Sequence, residues 1–181
     1  MAAALAGAAG CSQVAVPGPI PPLADQHVGN VPEGRLGLVA GDVELGLHPF
    51  YRRWWIDEAV WTDHLVEELT TELSARGVLV DPRAPNALRI TLRRFGAGHG
   101  MWVHRAYATC TVEDAEGNAV HTRRYSEAGA NLPRALTGLM YQVKHGLLTD
   151  PNVLRRIRKG GAPRRPRAAE RPALDDQDED R

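Results

Sequence analysis

Residues 87–128 read ALRITLRRFGAGHGMWVHRAYATCTVEDAEGNAVHTRRYSEA. In Ala87–Phe95, Leu88, Ile90 and Leu92 alternate with Arg89, Thr91 and Arg93. That is the period-two pattern of a half-buried strand. Gly96, Gly98 and Gly100 are expected to break it. Met101–Glu113 alternates again, with Trp102, His104, Ala106, Ala108, Cys110 and Val112 on one face and Val103, Arg105, Tyr107, Thr109 and Thr111 on the other. Asp114-Ala115-Glu116-Gly117-Asn118 reads as a hairpin turn, and Ala119–Ala128 returns as a third strand. Pairing Val112 with Val120 sets Tyr107 opposite Tyr125 and Arg105 opposite Glu127. An aromatic pair and an opposite-charge pair on the solvent-leaning face favour that register.

Two helices flank this meander. In Asp57–Arg76, Trp61, Leu65, Leu69 and Leu73 recur every four residues as one apolar stripe, and Glu67, Glu68 and Glu72 fall on other faces. Asp57 and Glu58 suit the positive end, and Gly77 supplies the stop. Asn131–Leu148 carries Pro133 in its first turn and a stripe of Leu132, Leu136, Leu139, Met140, Val143 and Leu147. RLGLVA at 35–40 reads as the first strand, Val43–Trp55 as a short strand running into an aromatic loop, and Val153–Ile157 as one helical turn. The expected fold is α+β: an antiparallel sheet with two main helices packed on one face, in strand–helix–strand meander–helix order. The other sheet face, rich in Arg and Thr, is expected to be wet.

With 181 residues the chain has room for one domain with loose ends. Its zero net charge hides zones: −3 over residues 1–154, +7 over 155–171 and −4 over 172–181. The basic and acidic parts of the tail adjoin, which disfavours a dedicated nucleic-acid arm. No apolar run reaches the roughly 18–20 residues of a membrane-spanning helix. Two cysteines, Cys11 and Cys110, exclude a disulfide framework and a four-cysteine zinc site.

MAAALAGAAG precedes Cys11. A short apolar run closing in small residues before a cysteine matches the end of a lipoprotein signal peptide, with Cys11 as the lipidated residue. The alternative is an alanine-rich cytosolic N-terminus with an incidental cysteine. The expected organisation is a signal peptide and lipidation site at 1–11, a Pro/Gly-rich linker at 12–33, one domain at 34–157, and a disordered basic-then-acidic tail at 158–181.

The order of these segments resembles the YajG-like family of small bacterial outer-membrane lipoproteins. The resemblance rests on Cys11, the strand RLGLVA, the helix VWTDHLVEELTTELSARG leading into VLV, then LRITLRRF, the hairpin VEDAEGNAVHTRRYSEAGA, and the helix ALTGLMYQVKHGLLTDPNVLRRI. It covers about residues 34–157. It implies a lipid-anchored protein on the periplasmic side of the outer membrane, no known reaction, no cofactor and no catalytic residue.

Candidate sites follow from composition. Phe50, Tyr51, Trp54 and Trp55 enclose Arg52 and Arg53, a combination suited to an envelope-protein or anionic-glycan partner. Alternatively, two of the rings cap the core beside Trp61. Arg89, Arg93, Arg105, Arg123 and Arg124 define a candidate basic sheet surface. With the tail, that surface also frames the alternative of a cytoplasmic nucleic-acid-binding module. An enzyme of unknown type is the remaining class. The histidines form no HExxH, so no metal ligands are assigned. His104 and Cys110 stand six residues apart on one strand, about 20 Å, too far for one ion. His121 is expected on the face opposite Cys110, leaving Cys110 as a buried, inert thiol.

Overall fold

In the computed structural model, which describes residues 12–43 and 45–159, the elements run in the order β1 (Gln13–Val14), α1 (Asp25–Val28), β2 (Gly34–Leu36), β3 (Leu38–Ala40), β4 (Leu47–Tyr51), β5 (Trp54–Asp57), α2 (Glu58–Ala75), β6 (Val78–Val80), β7 (Leu88–His99), β8 (His104–Glu113), β9 (Ala119–Gly129), α3 (Leu132–Thr149) and α4 (Pro151–Lys159). Both long helices start and stop where their caps dictate. The Asp57 carboxylate accepts from the Ala59 and Val60 amides, and the Asn131 side chain accepts from the Arg134 amide. Gly77, at φ 83°, follows α2 in the left-handed conformation that glycine adopts without strain.

The fold is α+β. Its main sheet has the order β3-β7-β8-β9, antiparallel except where β3 joins β7 in parallel. Leu88, Ile90 and Leu92 on β7 and Ala106, Ala108, Cys110 and Val112 on β8 are buried on one face. Leu69 and Leu73 of α2 and Leu147 and Leu148 of α3 close over that face, and the space left among these leucines is only ≈ 10 Å³. Such an interior is close-packed and dry.

RLGLVA is not one strand. It divides at Gly37, so that β2 pairs with β6 and β3 pairs with β7, both in parallel. A side chain at Gly37 would meet Ala87 Cβ at 2.7 Å, so the crossing chains require glycine there. The aromatic loop is a β4–β5 hairpin in a separate three-stranded sheet of order β1-β5-β4, with Arg52 at φ 48° in its turn.

Residues 12–33 do not behave as a free linker. Ala15, Ile20, Leu23 and Val28 are buried in the core. The segment crosses α2 as a strap: Trp61 Nε1 donates to the Ala15 carbonyl at 3.0 Å, and the Leu23 amide donates to Glu72 at 3.1 Å. Four buried apolar side chains pin the otherwise mostly exposed strap to the core, although they carry no helical or strand period. The ordered chain therefore begins upstream of residue 34. It also extends past 157, because Val153–Ile157 belongs to the nine-residue α4. The expected signal peptide and Cys11 at 1–11, and the tail from residue 160 on, lie outside the described residues.

Two expectations about the meander are corrected. The glycines at 96 and 98 do not end β7, which continues to His99 across a bulge between Arg93 and Gly96. Arg94 takes φ 56° there, and the Tyr107 ring lies over Gly96, its cross-strand partner. The β8–β9 register is shifted by one residue: Tyr107 faces Ser126, Ala108 faces Tyr125 and Arg105 faces Ala128. An irregularity between Val112 and Glu113 absorbs the extra residue. Because strand faces alternate, this slip turns Tyr125, His121 and Glu127 toward the helices.

Candidate functional surfaces

The register shift builds a polar chain at the edge of the core. His121 Nδ1 lies 2.7 Å from Asp150 Oδ2, and His121 Nε2 lies 2.9 Å from the Tyr125 hydroxyl. With the imidazole neutral, Nδ1–H donates to Asp150 and Tyr125 donates to Nε2. Burial pushes the Tyr125 phenol up to about 12, which keeps its proton in place as the donor. Burial acts upward on Asp150 too. The hydrogen bonds from His121 and from the Asn152 and Val153 amides outweigh it and hold that carboxyl below the usual range. Asp150 is thereby the joint between α3 and α4, tied to the edge strand. The arrangement resembles a proton relay in order, but its members are enclosed by packing, with the Tyr125 ring against Gly146. Contrary to expectation, His121 occupies the same face as Cys110. Burial pushes the Cys110 thiol up to about 12, so it stays protonated.

A second buried group joins the helices. Lys144, only 1% exposed, sits 3.2 Å from Glu72 and 3.6 Å from Glu68. Glu72, expected on an outer face, is buried. It also accepts from Arg76 at 2.9 Å and from the Leu23 amide at 3.1 Å. Burial acts upward on the Glu72 carboxyl, and these donors together bring it below its ordinary value.

The candidate residues on the surface divide as follows. Phe50, Tyr51 and Trp54 are half-buried against the core, Trp55 is half-buried, and Arg52 and Arg53 are exposed. The rings therefore serve packing in part, while the two arginines face solvent. Of the five sheet arginines, Arg89, Arg93, Arg105 and Arg124 alternate with buried or inward positions and stand on the wet face. Arg124 lies over the Tyr107 ring at 4.2 Å. Arg123 is opposite Cys110 and leans over the Tyr125 ring at 5.3 Å, so it does not join that face. Asp42, Arg89, Thr91, Arg93, Thr111 and Glu113 line a shallow depression of ≈ 280 Å³ on the wet side. Its mixed charges partly cancel, and the Arg93 guanidinium donates to the Asp42 carbonyl at 2.8 Å.

Sequence reasoning missed the turn at Met101–Val103. Met101 and Trp102 are each 84% exposed and Val103 is 44% exposed. The strand alternation places Trp102 in line with Ala106 and Cys110, but β8 begins only at His104, so Trp102 lies beyond the sheet. Among the described residues no group of three or more His, Cys, Asp or Glu side chains converges as a metal site, and no helix is long and apolar enough to cross a membrane.

No protein-family model matches the chain, and no curated protein matches it. Among solved structures it is similar to a crystal structure of an uncharacterized protein, at 17% sequence identity, covering 80% of this chain and 88% of that one, with a TM-score of 0.35. A likeness that low carries no argument about function.

Proposed function

We propose that the protein is a non-enzymatic cell-envelope lipoprotein, anchored through Cys11 on the periplasmic side of the outer membrane, whose α+β domain acts by surface contact as an accessory or binding module. The observation that carries the contact part is the packed centre of the core: where Leu69, Leu73 and Leu147 meet Leu88, Ile90 and Val112, apolar side chains leave ≈ 10 Å³. Buried Lys144, Glu72, Asp114 and Tyr125, and half-buried His121 and Asp150, are engaged in tying elements together. The resemblance to YajG-like lipoproteins and the small-residue run before Cys11 support the anchor. The partner side is an envelope protein or an anionic glycan, met by Arg52 and Arg53 with the edges of Phe50, Tyr51, Trp54 and Trp55.

Membrane fractionation of the full-length gene product, with and without Cys11→Ser, tests this reading. It expects the unsubstituted protein in the membrane fraction and the variant in the soluble one. Both in the soluble fraction overturns it.

A second reading is favoured by one feature, the four arginines on the wet sheet face. In a cytoplasmic nucleic-acid-binding module they would contact phosphates, and duplex binding would fall steeply with salt. Binding that Arg89→Gln with Arg124→Gln removes would select this reading over the first.

A further inference from the structure

Two hairpin turns and the start of the described chain meet at one end of the domain. The His99–His104 turn is closed by a Gly100 amide to Val103 carbonyl bond of 2.8 Å. The His104 ring meets the Tyr51 ring edge-on, with centroids 6.2 Å apart, so the β4–β5 turn lies beside it. The Gln13 amide donates to the Arg53 carbonyl at 2.9 Å, which fixes the chain two residues after Cys11 against that same turn. At this end Met101, Trp102 and Val103 project where the core does not need them. Arg52 and Arg53 are exposed in the β4–β5 turn that the Tyr51–His104 contact brings alongside, and Arg105, opposite Gly98, stands just inside the other turn. No Asp or Glu occurs in residues 51–56 or 96–112.

We propose that this end is a bilayer-contacting surface, in which Met101, Trp102 and Val103 enter the boundary between headgroups and acyl chains while Arg52, Arg53 and Arg105 meet the phosphates of anionic lipids. The proposal rests on the membrane-anchored reading for its biological setting, but its physics does not need the lipid. Tryptophan is favoured at the membrane interface because its ring is apolar and its N–H still reaches water or headgroups. Basic residues near an anionic surface add attraction that fades within a Debye length. A basic and apolar protein contact adds its own attraction to whatever attachment acyl chains supply. A chain leaving Gln13 toward a lipidated Cys11 would bring this end, and no other, down onto the bilayer.

The full chain carrying Cys11→Ser, which cannot be lipidated, isolates this contact. It is mixed with vesicles of phosphatidylglycerol and phosphatidylethanolamine, and with vesicles of phosphatidylcholine alone, while tryptophan emission and co-sedimentation are followed. Binding to the anionic vesicles is expected, with a blue shift in emission that Trp102→Ser abolishes. Trp102 is exposed, so an unchanged far-ultraviolet spectrum and urea midpoint verify that the variant folds. Arg52→Gln with Arg53→Gln should weaken partitioning about 25-fold, about fivefold for each arginine. Absence of binding to anionic vesicles overturns the proposal, as does binding that Trp102→Ser leaves intact. A dimer in sedimentation that Trp102→Ser splits also overturns it, since the turn would then cover a second copy of the chain. Vesicle binding by the Cys11→Ser chain, together with an unsubstituted protein that fractionates as soluble in cells, would refute the Cys11 anchor and leave this surface standing.

Discussion

Replacing Lys144 with methionine probes the joint between α2 and α3. The substitution keeps most of the side-chain volume and removes only the ammonium, which lies 3.2 Å from Glu72 and 3.6 Å from Glu68. Removing one member of a buried ion pair typically costs about 3–5 kcal/mol, because the other charge is stranded. Here Glu72 is not stranded: Arg76 and the Leu23 amide still donate to it. The expected cost of Lys144→Met is therefore lower, about 2 kcal/mol. The converse change is worse. Glu72→Gln leaves Lys144 inside with only the more distant Glu68, so the full penalty of about 3–4 kcal/mol applies. Combining the two removes both charges, and the double variant should recover part of the summed loss, with a coupling of about 1–3 kcal/mol. Urea unfolding of the four proteins, read as midpoints at constant slope, gives all three numbers. If Lys144→Met costs more than Glu72→Gln, or if the two costs simply add, the network as described is wrong.

Gly146→Ala places a Cβ 2.6 Å from Tyr125 Cε1, and the overpacking should lower stability by about 1–3 kcal/mol in the same urea assay. Asp150→Asn tests the edge clamp by pH. Because the folded carboxyl is held low, its contribution is complete above the unfolded-state pKa of about 3.9 and is lost as pH falls through the lower folded value. The stability gap between wild type and Asp150→Asn should accordingly be full at pH 6 and shrink below about pH 4. In the Cys11→Ser chain, Cys110 should resist iodoacetamide at about pH 8 until urea unfolds the protein, since burial keeps the thiol protonated. Rapid native alkylation would show that the sheet face is open.

The helices were legible because stripe, cap and stop agree: Asp57, the leucines at 65, 69 and 73, and Gly77 all point to one element. The buried faces of β7 and β8 were legible for a similar reason, since strict alternation leaves one choice of inside. The β9 register was not. Tyr107 with Tyr125 and Arg105 with Glu127 make plausible pairs, and the irregularity beside Glu113 that displaces them leaves no mark in composition. The strap was hidden because Ala15, Ile20, Leu23 and Val28 enter the core at irregular intervals and show no period of their own. Lys144 and Glu72 were hidden by the general rule that charges face water, which fails when two of them find each other across a helix pair. His121 and Asp150 lie 29 residues apart, and only the shifted register turns the imidazole toward the helix end. Among the surface candidates, the alternation of β7 and β8 correctly grouped Arg89, Arg93 and Arg105. Arg123 and Arg124 are neighbours on a strand, so only one of them could share that face.

Cys11, the proposed anchor, bears the most weight in the functional account, and the mass of the protein recovered from its native cells tests it most directly. The account predicts a mature chain that begins at Cys11, lacks residues 1–10 and carries acyl groups on that cysteine. A chain that retains Met1–Gly10, with Cys11 as a free thiol, would contradict it.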